Sequence, residues 1–164
     1  KEKASSRLDK MVNITNDPSI LSSAGSLARD CGNFEQSLVI FKNIEDKAPH
    51  FRLWFKKDYA WTFLISQYME KIDIFDEAKF FINNQLDKQF EEDGINEMWL
   101  IMLAYIASVE GDSDKAKYYF NEQTKMTNPI NVIWSNKYPD ILDENPSFRD
   151  SFFSELEKLG LKLK

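Results

Sequence analysis

Apolar residues recur along the chain at intervals of three and four, the spacing that lines one face of an α-helix. Leu21, Ala24 and Ala28 form one such stripe, Ile65 and Met69 a second, and Leu100, Leu103 and Ala107 a third. Ala4, Leu8, Met11 and Val12 predict a helix over residues 2–16 that stops at Asn16-Asp17-Pro18. Toward the other end Phe148, Phe152, Leu156 and Leu159 keep the same spacing until Gly160 ends the run. There Asn145 reads as the helix cap and Pro146 as the first helical position. Five Gly and five Pro leave little material for the turn-dense loops of an all-β protein. The expected class is all-α.

Two stretches of the chain align with each other. Residues 18–51 carry Gly25, the turn Gly32-Asn33-Phe34, then Ser37, Phe41, Ile44 and Pro49. Residues 97–129 carry Ala104, the turn Gly111-Asp112-Ser113, then Ala116, Phe120, Gln123 and Pro129. Between them, residues 59–90 supply Ser66, Asp73-Ile74-Phe75, Ala78 and Ile82. Small residues at Gly25, Ser66 and Ala104 on the first helices, and at Ser37, Ala78 and Ala116 on the second, let paired helices approach closely. Gly32 and Gly111 can take the left-handed conformation that ends a helix, and Pro49 and Pro129 cannot continue the backbone ladder.

This pattern resembles the tetratricopeptide repeat (TPR), a helix–turn–helix unit of roughly 34 residues. The resemblance implies a TPR-like superhelix, an α–α solenoid with a C-terminal capping helix. It reads as a single domain over 1–164: a half-repeat helix in 1–17, repeats at 18–51, 59–90 and 97–129, and a capping segment in 130–164. The fit departs from the family in places. The second-helix anchors Ser37, Ala78 and Ala116 are 41 and 38 residues apart, longer than the usual repeat. The extra residues fall in 51–58, expected to extend the first helix of the middle unit, and around Glu91-Glu92-Asp93-Gly94, expected as a solvated loop. The middle unit carries Asp73 where its neighbours carry a turn Gly.

The tail, with Tyr138-Pro139-Asp140-Ile141 followed by Asn145, Pro146, Phe148, Leu156, Gly160 and Leu161, is similar to the segment that closes many bacterial TPR regions. Such tails end signalling proteins in which the repeats follow a nucleotide-cyclase, kinase or winged-helix module. The chain is expected to be the C-terminal part of such a protein.

Composition narrows the partners. The 43% hydrophobic and 14% aromatic content argues against disorder. A net charge of −6 and a pI near 4.9 oppose a nucleic-acid surface, which needs clustered Lys and Arg. Lys1, Lys3, Arg7 and Lys10 are diluted by Glu2 and Asp9 and read as a solvated helix face. One Cys excludes an internal disulfide framework and leaves the compartment open. No apolar run approaches the roughly 18 residues of a membrane span, so no direct membrane insertion is expected. The chain begins with Lys and has no signal-peptide pattern, so a longer parent or a removed leader is expected.

Chemistry is sparse. Cys31 and His50 lack an orienting or oxyanion motif, so they read as a helix-terminal residue and a surface His rather than a dyad. No Cys or His pair has ligand spacing, and Glu91-Glu92-Asp93 lacks the alternating oxygens of a calcium loop. There is no phosphate-cradling glycine pattern, and Asp76-Glu77 suits a helix start through the dipole. The expectation is therefore no catalytic residue, no cofactor and no metal.

Trp54, Trp61, Trp99 and Trp134 could line a groove, but aromatics at helical spacing are mostly core. The TPR resemblance implies that inner positions of the first helices face a ligand. By alignment these are Ser19, Ser22, Ser26 and Arg29; Ala60, Phe63, Gln67 and Glu70; Met98, Ile101, Tyr105 and Ser108. Arg29 is their lone cation and has no Asn beside it, so a clamp for a chaperone's terminal carboxylate is not expected. An apolar or helical protein partner at Arg29, Phe63, Gln67, Met98, Ile101 and Tyr105 is. The expected function is a protein–protein interaction module. The alternative is a structural unit that self-assembles, as a homodimer, within a periplasmic or membrane-attached TPR protein.

Overall fold

A computed structural model describes residues 15–87, 95–125 and 140–161, apart from the side chains of Ile95 and Asp140. The expected helix over 2–16, the loop at Glu91-Glu92-Asp93-Gly94, Pro129, Trp134 and Tyr138-Pro139 lie outside the described residues, wholly or in greater part. Every regular element among the described residues is an α-helix, as the sequence pattern predicts. The chain packs as two compact units, Lys1–Ile72 and Asp73–Lys164. The boundary falls between the two helices of the expected middle repeat.

Unit 1 contains α1 (Pro18–Asp30), α2 (Phe34–Lys47) and α3 (Leu53–Glu70). Asp17 caps α1, its carboxylate accepting from the Ser19 amide at 2.8 Å, and Pro18 takes the first turn, where its missing N–H costs nothing. α1 closes on Gly32, whose φ of 75° lets the Asn33 amide return to the Ala28 carbonyl at 2.8 Å. Asn33 then caps α2 through its side chain. α2 ends at Lys47, two residues before Pro49. α3 starts at Leu53, so most of the insertion at 51–58 is helix, as expected.

The core of unit 1 has two parts. One is the close seam of α1 on α2, where Ala24, Ala28, Ser37 and Phe41 are all fully buried. The other is a column of rings at i, i+4 spacing on α3. Phe55 stacks on Tyr59 at 6.0 Å and Tyr59 on Phe63 at 4.6 Å, while Phe41 meets Phe55 edge-on at 5.5 Å.

Unit 2 contains α4 (Phe75–Leu86), α5 (Ile95–Val109), α6 (Ser113–Thr124), α7 (Asp140–Asp143) and α8 (Pro146–Leu159). α5 and α6 repeat the turn of unit 1. Gly111 has φ 82°, the Asp112 amide reaches the Ala107 carbonyl at 2.9 Å, and the Asp112 carboxylate caps α6 at Lys115. α4 packs on α5 from one side, and α8 packs on α5 and α6. α5 is therefore enclosed almost all round, with every residue from Met98 to Ala107 buried.

Two connections differ in detail from the aligned pattern. The connection from α3 to α4 is one residue longer than the glycine turns, and its left-handed residue is Lys71 (φ 54°, ψ 35°) rather than Asp73. Asn145 does occupy the cap position of α8, but its side chain makes no capping bond; the amide donates backward to the Ile141 carbonyl at 2.9 Å.

Candidate functional site

The inner positions assigned from the sequence fall on α1 and α3 in unit 1 and on α5 in unit 2. On α1, Ser19 is exposed, Ser22 is buried and Ser26 half-buried. Arg29 is only 6% exposed and does not stand as a waiting cation. Its guanidinium lies 3.1 Å from Asp30 and 3.7 Å from Asp58 of α3, and Ser26 donates to the same Asp58 oxygen at 3.1 Å. Ser26, Arg29 and Asp58 thus form a polar link between α1 and α3. Burial raises the Asp58 carboxyl above its ordinary range, the Arg29 charge and the Ser26 hydroxyl acting against it.

Phe63 closes the ring column of α3 and is 7% exposed. Gln67, one turn on, is half-buried, and Glu70 is exposed. In unit 2, Met98 is nearly buried and Ile101 wholly so. Tyr105 is 2% exposed because α8 covers it, its ring lying 4.8 Å from Phe152 and edge-on to Phe148 at 5.8 Å. Ser108 donates to Glu155 of α8 at 2.7 Å. At Tyr105 and Ser108 the face of α5 that the repeat alignment offered to a partner is covered by α8. Of the six residues named for partner binding, only Gln67 retains substantial exposure.

The exposed apolar residues lie elsewhere, and three of them share one register. Val39, Phe80 and Tyr118 are 64%, 71% and 58% exposed. Each stands two residues after the small anchor of a second helix: Ser37, Ala78 and Ala116, all fully buried. Four residues past each anchor, Phe41, Ile82 and Phe120 are buried; seven past, so are Ile44, Gln85 and Gln123. The sequence carries this signal in the aligned anchors, as an apolar residue two past each one and out of phase with the buried spacing.

The tryptophans divide: Trp61 and Trp99 are core, whereas Trp54 is 42% exposed in the first turn of α3. Cys31 is half-buried at the end of α1, and His50 is exposed in the turn after α2. Among the described residues no group of three or more His, Cys, Asp or Glu is placed to hold a metal ion, and no helix is long and apolar enough to cross a membrane. Compared with family models, curated proteins and solved structures, the chain matches none of them.

Proposed function

We propose that this chain is a protein–protein interaction module of the tetratricopeptide type, working as the regulatory C-terminal region of a larger bacterial signalling or transcription protein. The observation that carries the reading is the register common to α2, α4 and α6. In each, a small buried anchor is followed at four and seven residues by buried side chains and at two residues by an exposed Val, Phe or Tyr. A helical repeat unit cannot bury its apolar face alone, which is why anchors and core positions recur. Val39, Phe80 and Tyr118 stay mostly in solvent, Tyr118 touching Tyr119 edge-on at 5.5 Å, and a binding role accounts for large apolar side chains recurring at this position.

The test replaces Val39, Phe80 and Tyr118 together by Ser in the full chain. These side chains lie mostly in solvent, so helical content and melting temperature should hold. A protein cross-linked to the intact chain in the cells that make it should be lost from the variant. Equal recovery by a well-folded variant overturns the assignment. Self-assembly through the same residues is the second reading, favoured by the 71% exposure of Phe80. A dimer mass by light scattering that falls to monomer in the triple variant would select it.

A further inference from the structure

The corner between α2 and α3 is a basic stretch in an acidic chain. Residues 47–57 hold four of the 21 Lys and Arg, the single His, and none of the 27 Asp and Glu. Lys47, His50, Arg52 and Trp54 are exposed there. The bordering acids are engaged inward: Glu45 pairs with the buried Lys56, and Asp58 with Ser26 and Arg29. Asp46 is the one exposed carboxylate beside the corner on α2.

Trp54 is not a loose side chain. Its ring meets Phe51 edge-on at 6.0 Å, and Phe51 in turn packs at 5.5 Å on Phe55, which is fully buried. The exposed indole is thus the outer end of the ring column that forms the unit 1 core. A rigid aromatic loses little side-chain entropy when a ligand covers it, which is the property of an interface anchor.

We propose that this corner docks a short acidic segment of a partner protein, with Trp54 as the apolar anchor and Lys47 and Arg52 supplying the charge. Charge complementarity selects the acidic ligand. The small extent of the patch selects a short segment over an extended polyanion. A membrane surface or a nucleic acid would also face the rest of a chain whose net charge is −6. A peptide confined to the corner is shielded from those charges beyond a Debye length of about 8 Å. The inference rests on the interaction reading only in taking the ligand to be protein, and it uses none of Val39, Phe80 or Tyr118.

The experiment is fluorescence polarisation with the full chain and a dye-labelled synthetic peptide of alternating Glu and Leu. A Lys/Leu peptide of the same length is the control. Trp54→Ala, and Lys47→Glu with Arg52→Glu, should each weaken Glu/Leu binding about tenfold, and added salt should weaken the wild type. The charge-reversed pair changes exposed side chains only, so it remains informative if Trp54→Ala loses helix content. Equal binding of the two peptides, or equal affinity in wild type and charge-reversed chain, overturns the proposal. So does preferential binding, through the same residues, of phosphatidylserine vesicles or a single-stranded RNA. Failure here with success of the Val39, Phe80 and Tyr118 test would leave the module reading standing and remove this surface from it.

Discussion

Ser37 donates its hydroxyl hydrogen to the Gly25 carbonyl at 2.8 Å, joining the two helices of the first pair at a point sealed from solvent. The contact is possible because Gly25 has no side chain. A Cβ there would lie 2.3 Å from Cε1 of Phe41, a ring with no exposed surface and nowhere to move. Gly25→Ala is expected to destabilise the chain. Overpacking costs about 1–3 kcal/mol, and the roughly 1 kcal/mol of helix propensity gained by Ala offsets part of it. Adding Phe41→Leu should recover part of the loss, which urea titration of the single and double variants would reveal. A Gly25→Ala chain as stable as wild type would mean that the α1–α2 seam is looser than this geometry.

The turns offer a paired comparison. Gly32 and Gly111 have positive φ and open space where a Cβ would stand, so Ala at either place costs only backbone strain, about 1 kcal/mol. Lys71 bears that same strain in the wild type. Lys71→Gly should therefore raise stability by roughly 0.5–1 kcal/mol, or a few degrees in melting temperature, while Gly32→Ala lowers it similarly. Thermal melts that moved both variants in the same direction would refute the assignment.

These positions also mark where sequence reading succeeds and where it stops. Helix faces and small anchors were legible because period 3.6 and the absence of a large side chain are written in the residues themselves. Lys71 was not, because a left-handed lysine has no sequence signature; the extra residue in its connection shifts the special conformation away from the position that aligns with glycine. Trp54 and Trp61 share one face of α3 by periodicity, yet one is exposed and the other core. Their difference lies in what each end of the helix packs against. Tyr105 aligned with an inner, ligand-facing position, and only the docking of α8 shows that the chain fills that position itself.

Tyr105 consequently belongs to the stability of unit 2. Tyr105→Ala should lower it by about 3–5 kcal/mol, the usual cost of deleting a buried aromatic. Phe152→Ala should do the same from the other side of the contact. Because the two rings touch, the double variant should cost less than the sum of the singles. A double-mutant cycle by chemical denaturation measures this coupling. Additive losses would place α8 elsewhere than on Tyr105.

Asp58 sets a pH dependence whose sign runs against the usual one for a salt-bridged carboxylate. Burial is the largest influence on it and raises its pKa above 3.8; Arg29 and Ser26 lower it without overcoming that effect, and Asp30 adds to it. The folded chain thus holds the Asp58 proton more tightly than the unfolded chain. Its contribution to stability is fullest below the unfolded value and is lost as pH rises through the folded one. At neutral pH the charge at this position is a net cost. Asp58→Asn removes it while leaving an amide oxygen to accept from Ser26 and leaving Asp30 beside Arg29. The variant should melt at or above the wild-type temperature near pH about 7, and the difference should shrink as both are taken down toward pH about 4. A variant that loses several degrees at neutral pH would show instead that the attraction of Arg29 outweighs the burial of the carboxylate.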